Sequence, residues 1–242
     1  EPGTRVIVMT DRGGVAEALA ARLQAAGVAP LGLNPVLSAD DLRERLDALL
    51  AEGPISGVYW LPALDDEGDF LALDLGAWRE ALRVRVKLLY ATMRALYESV
   101  AAPGTFLVSA TRLGGRHGYD QPGATAPLGG AVSGFTKAYK RERPEALVKV
   151  VDFAPQAAPD EVAGLLLAET LRDPGAVEIG HADGLRTSVT LVEQGRAAEG
   201  PGGVGFGHDT VVVVTGAAGS IVSAITVDLA AHSGGTFHLF DL

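Results

Sequence analysis

Val6–Leu23, VIVMTDRGGVAEALAARL, and Val211–Leu229, VVVVTGAAGSIVSAITVDL, are two copies of one pattern. Each opens on four apolar residues, turns at a threonine and a short glycine-bearing stretch, and continues with apolar residues at helical spacing. That reads as strand, turn, helix, twice in one chain. Between the copies, apolar β-branched runs of about five residues alternate with longer helical patterns, the sign of βαβ units and a parallel sheet. Strands are expected at Arg5–Thr10, Pro30–Leu33, Ser56–Leu61, Thr105–Ser109 and Val148–Asp152, with a pair near Val177–Ile179 and Arg186–Val192. Ser38-Ala-Asp-Asp41 sets an N-cap hydroxyl before acidic first-turn residues, and Gly76–Val100 carries a sustained apolar stripe, so helices are expected there. The fold class is α/β.

Composition limits the function classes. The 242 residues are 48% hydrophobic, enough for one large core or two smaller ones. A net charge of −10, from 30 acidic and 20 basic residues, argues against nucleic-acid and anionic-membrane partners. Zero cysteines remove disulfides, thiolate nucleophiles and cysteine metal sites. The start Glu-Pro-Gly-Thr-Arg lacks the regions of a signal peptide, so a cytoplasmic location is expected. Val211–Ala231 is long and apolar, but Gly216, Gly219 and Asp228 interrupt it, and it reads as strand, turn and helix rather than a membrane span. The five histidines show no metal spacing, and no Gly-x-Ser-x-Gly elbow occurs.

Both copies read as Rossmann-like starts. In such a fold a dinucleotide pyrophosphate sits where the first strand turns into the first helix, on helix N-terminal donors, with glycine permitting close approach. The second copy keeps Thr215, Gly216 and Gly219, with Ser220 and Ile221 opening the helix. The first has Asp11 where the second has Gly216, which puts a negative charge beside the phosphate position. Asp11 reads either as a residue that repels a nucleotide or as a helix cap, and both are incompatible with an intact phosphate cradle. Gln194–Asp209, glycine-rich and without periodicity, reads as a linker between a unit at 1–193 and a unit at 210–242.

The segments WREALRVRVKLLYATMRAL (Trp78–Leu96), FLVSATRLGG (Phe106–Gly115) and GFTKAYKRERPEALVKVVDFAP (Gly134–Pro155) carry a resemblance that spans nearly the whole chain. The sequence resembles the short-chain dehydrogenase/reductases, and more narrowly the ketoreductase region of type I polyketide and polyunsaturated-fatty-acid synthases. The resemblance implies a truncated, cofactor-free structural subdomain, then the start of a catalytic subdomain that binds NAD(P)H and reduces β-ketoacyl groups on an acyl carrier protein. Implied partners are that carrier protein and neighbouring synthase domains, with a homodimer as a further expectation.

The same resemblance implies where catalytic residues would lie in the first unit. Arg85 stands at the position of an Asn in the pattern Val84-Arg-Val-Lys87, and Ser109 matches the carbonyl-polarising hydroxyl. The tyrosine position falls on Thr125 and the lysine position on Gly129. No other tyrosine has a lysine four residues on, and Tyr139 with Arg143 is the nearest approach. Reduction on this unit is therefore not expected. Small residues at Ala124, Gly129, Gly130, Ala131 and Gly134 suit close packing, either between subdomains or in any α/β core. Lys137–Arg143, KAYKRER, is the densest positive patch and reads as a dock for an acidic carrier or as a solvated helix face.

In the second unit the family's three-glycine pattern is incomplete, with Ser220 and Val222 at the second and third positions. Val222 should push the helix off the strand or widen the turn. Asp241, about 20 residues past the motif, could accept the adenosine ribose hydroxyls and would favour NAD over NADP, or could be a helix-capping or loop aspartate. One βαβ unit cannot bury both its faces, so either more of the catalytic subdomain is expected beyond Leu242 or the last strands dock on the first fold. Two functions stay open: a reductase region of a multienzyme, or a catalytically dead scaffold within a synthase.

Overall fold

A computed structural model describes residues 3–120, 123–193 and 205–241. The chain forms two compact units, Glu1–Thr190 and Leu191–Leu242. Of the expected linker, 194–204 lies outside the described residues.

In the first unit the strands are β1 (Arg5–Met9), β2 (Ala29–Leu33), β3 (Gly57–Trp60), β4 (Phe106–Thr111), β5 (Leu147–Phe153), β6 (Glu178–Ala182) and β7 (Leu185–Ser188). They form one sheet in the order β2-β1-β3-β4-β5-β6-β7, parallel throughout except for the β6–β7 hairpin. The helices are α1 (Val15–Ala25), α2 (Ala39–Glu52), α3 (Leu75–Leu82), α4 (Leu88–Ala95), α5 (Gly129–Glu142) and α6 (Pro159–Leu171). Strand alternation sends Val58 and Trp60 to a core under α2, α4 and α5 with Leu42, Leu46, Leu89, Met93 and Val132. Tyr59 and Leu61 point into a second core under α1 and α6 with Leu19, Leu23, Val162 and Leu166. Each of these leucines contributes about 1.5–3 kcal/mol on burial. A sheet buried on both faces explains why its strands read as near-continuous apolar runs. The sheet direction reverses between β2 and β3, so the crevice at the C-terminal ends of β1 and β3 is the switch point where such folds take ligands.

Three expectations need correcting. The strand drawn to Val192 stops at Ser188, and its partner starts at Glu178 and runs to Ala182. The helix over Gly76–Val100 is interrupted by one π-helical stretch, Arg83–Lys87. There the Trp60 indole donates to the Arg85 carbonyl (3.0 Å), and a side chain competing for a helical carbonyl is a known cause of such a break. Finally, β4 runs past Ser109 to Thr111. The Ser38 cap forms as expected, its hydroxyl accepting the Asp41 amide at 3.1 Å.

In the second unit β8 (Val211–Thr215) and β9 (Thr236–Phe240) pair in parallel, with α7 (Ser220–Ser233) between them in the chain. Val211, Val213, Ile221, Ile225, Val227, Leu239 and Phe240 are all more than half exposed. Among the described residues, no helix is long and apolar enough to cross a membrane.

Candidate cofactor clefts

Two turns of matching sequence can be compared donor by donor. After β1, the Asp11 carboxylate folds back on the start of α1. Its Oδ2 accepts the amides of Gly13 (2.9 Å) and Val15 (3.1 Å), and its Oδ1 accepts Ala16 (2.8 Å). The next amide, Arg12, donates to Asp65 Oδ1 at 2.7 Å. Asp11 is only 7% exposed. The amides of Arg12, Gly13, Val15 and Ala16 in this turn are thus satisfied by the protein's own carboxylates, and a second anion would meet their charge. A dinucleotide does not fit this turn.

The turn after β8 is built differently. Thr215 ends the strand, and Gly216 takes φ +67°, a conformation a side chain would strain, with nothing within 4 Å of where a Cβ would stand. Gly219 is the N-cap of α7, and its amide donates to the Gly216 carbonyl at 3.0 Å. The Ala217 amide donates to Phe240 O, and the Ala218 amide to Asp241 Oδ2. Ser220, Ile221 and Val222 are the first residues of α7, whose amides have no intrahelical acceptor, and Ser220 and Ile221 are exposed to solvent. Val222 is half-buried and lies in the regular helix. The structure therefore brings Thr215, Gly216, Gly219, Ser220, Ile221 and Asp241 to one turn, where the Asp241 carboxylate takes one loop amide and Ser220 and Ile221 open the helix exposed to solvent.

No known family description and no curated protein matches the sequence. Solved structures do. A multidomain structure holding the adenylation, ketoreductase and pseudo-Asub domains of a keto acid-selecting NRPS module superposes with TM-score 0.68 at 14% identity. The match covers 98% of this chain and 21% of that one, so the chain spans about a fifth of its length. A short-chain dehydrogenase/reductase from Brucella melitensis matches with TM-score 0.58 at 14% identity, over 73% of this chain and 94% of that one. The fold is that of a short-chain dehydrogenase/reductase. An alcohol dehydrogenase from the archaeon Thermococcus sibiricus, solved with 5-hydroxy-NADP, has TM-score 0.55 at 13% identity, over 78% of this chain and all of the other.

Within that fold, the first unit has other uses for each position of a reductase site. Arg85 is buried, its Nη2 donating to the carbonyls of Asp65 (3.0 Å) and Asp66 (3.4 Å) and its Nε 3.5 Å from Glu67 Oε1. Ser109 is fully buried and accepts the Thr136 hydroxyl at 2.9 Å, so it presents nothing to a cleft. Thr125 donates to the Arg112 carbonyl (2.7 Å). At Gly129 a Cβ would stand 3.3 Å from Leu113 Cδ2 and Thr111 Cβ, a tight fit even before a lysine chain is added. Tyr139 is core rather than surface: its hydroxyl donates to Val100 O at 2.7 Å, and burial pushes its pKa up to about 12.

Sequence reasoning missed several buried charges. Asp152 accepts the Thr111 hydroxyl (2.7 Å) and the amides of Leu113 (2.6 Å) and His117 (2.8 Å), pinning the loop after β4. Gly115 of that loop has φ +83°, and a Cβ there would collide with the His181 carbonyl oxygen. Glu169 on α6, fully buried, meets Lys149 (3.2 Å), Arg172 (2.6 Å), His181 (3.2 Å) and Arg186 (2.7 Å). Burial works against its charge, but the bonds from Arg186, Arg172 and Lys149 outweigh it and hold the carboxyl well below its usual range. Lysine inside the apolar strand LVKVVDF was the available signal. The basic cluster Lys137–Arg143 is largely committed: Lys137 pairs with Glu178 (2.9 Å), Lys140 donates to Pro144 O and Ala146 O, and Arg143 pairs with Glu98 (2.9 Å) over the Tyr97 ring.

Proposed function

We propose that the chain is the non-catalytic, structural part of a β-ketoacyl reductase region in a multienzyme synthase, joined to the opening of the part that binds NAD(P)H. The observation that carries this reading is the contrast between the two turns: the buried Asp11 takes the Gly13, Val15 and Ala16 amides at one, whereas Ser220 and Ile221 begin the helix of the other exposed to solvent. The match along 98% of the chain to a module that contains a ketoreductase supports it. In this reading Thr215, Gly216, Gly219, Ser220 and Ile221 receive the pyrophosphate, and Asp241 favours NADH by repelling a 2′-phosphate. The substrate class is a β-ketoacyl group on an acyl carrier protein, neighbouring synthase domains are the partners, a homodimer is one arrangement, and the setting is cytoplasmic. Lys137–Arg143 is not the surface we assign to the carrier, because Lys137 and Arg143 are ion-paired and Lys140 is bound to carbonyls of its own unit.

The test is NADH and NADPH titration of the protein with residue-resolved amide shifts. Shifts at 216–222 and none at 12–16 are expected. A response at 12–16 refutes the assignment of the first unit as a support, and no response at either turn favours the scaffold reading, which Val222 in place of a glycine motivates.

A further inference from the structure

The loop that leaves β3 crosses the switch-point crevice. It descends through a buried turn, Pro62–Leu64, into the acidic run Asp65-Asp-Glu-Gly-Asp69. One end is tied to the turn after β1, where Asp65 Oδ1 accepts the Arg12 amide at 2.7 Å. The other is tied to the start of α5, where Glu67 Oε2 accepts the Leu128 amide at 3.1 Å. Between the ties, Arg85 binds the Asp65 and Asp66 carbonyls through Nη2 and faces Glu67 Oε1 through Nε. Arg85 is itself fixed by the Trp60 indole on its carbonyl. The Glu67 and Arg85 side chains are 1% and 7% exposed, so neither charge is tolerable there without the other.

We propose that residues 65–67 are a built-in strap that takes the place of an anionic ligand: Asp65 serves the turn after β1 beside Asp11, Glu67 serves the N-terminus of α5, and Arg85 is the counterion that locks the strap down. The proposal rests on the reading of the first unit as a support and deepens it, since it assigns Arg85 a positioning role at the site where the fold's catalytic asparagine is missing. A helix N-terminus whose donors lack a partner is costly when buried, and a carboxylate from the chain meets that need as an anion would. The strap also sets the Asp65 carboxylate close enough to Asp11 for the two charges to repel.

Amide hydrogen exchange by NMR on the whole protein tests it. Arg85→Met should release both ends together, so that the Arg12 and Leu128 amides exchange about ten- to hundred-fold faster, the loss expected for bonds to charged acceptors. The amides of Gly13, Val15 and Ala16, held by Asp11, should change less than about twofold. If Arg85→Met does not fold, replacing 65–69 with Gly-Ser-Gly-Ser-Gly removes both carboxylates and should give the same paired response. Independent behaviour of the two amides, or no change at either, overturns the strap. That failure leaves the support reading standing, because Asp11 alone closes the turn; NADH-induced protection at 12–16 of the unaltered protein would sink the support reading instead.

Discussion

Replacing Asp11 with alanine tests the physical basis of the assignment. The substitution deletes three hydrogen bonds, at 2.8–3.1 Å, to amides at the start of α1. The N-cap residue of α1 is Gly14, and Asp11 caps the helix from three residues before it; loss of a side-chain cap costs about 1 kcal/mol and at most about 2. A carboxylate beside a helix N-terminus adds about 0.3–1 kcal/mol, and up to about 2 where it is partly buried. Orphaned buried amides raise the cost further, by about 1–3 kcal/mol for any that water cannot reach. A net loss of about 2–4 kcal/mol follows for a side chain on a residue only 7% exposed. In a unit of this size that lowers the melting temperature by about 4–16 °C. Urea unfolding, followed by the fluorescence of the buried Trp60, reads the change directly. Asp11→Asn keeps one acceptor and should lose about 1 kcal/mol. If Asp11→Ala unfolds within about 0.5 kcal/mol of the unaltered protein, the carboxylate is not satisfying those amides, and the argument that it excludes a phosphate fails with it.

Three further outcomes follow from the buried charges and the altered helix. Glu169→Gln breaks a carboxylate that is fully buried against an equally buried Lys149, and should destabilise the first unit by about 3–5 kcal/mol in denaturant titrations. Stability should also fall on acidification: His181, held below its ordinary 6.5 by burial, stabilises the fold above that value and withdraws as pH drops toward its folded pKa. Glu169, held below 4.5, then withdraws as pH falls through its own lowered value, so Glu169→Gln flattens the lower part of the curve, and an unchanged acid limb would contradict this account. Thr125→Tyr with Gly129→Lys rebuilds the sequence spacing of a reductase but overpacks Leu113 and Thr111, so about 1–3 kcal/mol of stability should be lost. No β-ketoacyl reduction should appear, and turnover by this variant in a coupled NADH assay would show the first unit to be a usable reaction site.

Much of the fold was legible because parallel sheets buried on both faces write themselves as apolar runs, and β1, β3, β4 and β5 fall within a residue or two of the runs that predict them. The π-helical stretch was not legible, because its cause is Trp60, 25 residues before the carbonyl it binds. The overlong strand to Val192 has a similar origin: β7 lasts only as long as it has β6 to pair with, and residue counts along one strand do not carry that limit. At the site, Asp11 against Gly216 was readable residue by residue, since the two copies supply their own comparison. Glu67 and Asp65 were not, because an acidic residue in a loop looks solvated until the loop is folded against the rest of the chain, and Asp152, at the end of β5, was not because the loop it pins comes from the neighbouring strand β4.

The replacements in the first unit obey one rule. A cleft shaped for a ligand contains donors that point at the ligand, and removing the ligand leaves them buried and unpaired unless the chain supplies acceptors. A turn that is to be stable without a ligand therefore needs internal contacts, position by position. The α1 amides take Asp11, the Arg12 amide takes Asp65, the start of α5 takes Glu67, and Thr125 turns its hydroxyl to Arg112. Each new acceptor is a carboxylate or carbonyl of the unit itself, and the charge they add is balanced in part by Arg85. A side chain that only blocked the cleft would leave those donors unsatisfied, whereas this set satisfies them, so the unit has the means to be stable without a cofactor. At the second turn Ser220 and Ile221 are exposed, so water can serve the first amides of α7 and the chain need not supply acceptors there.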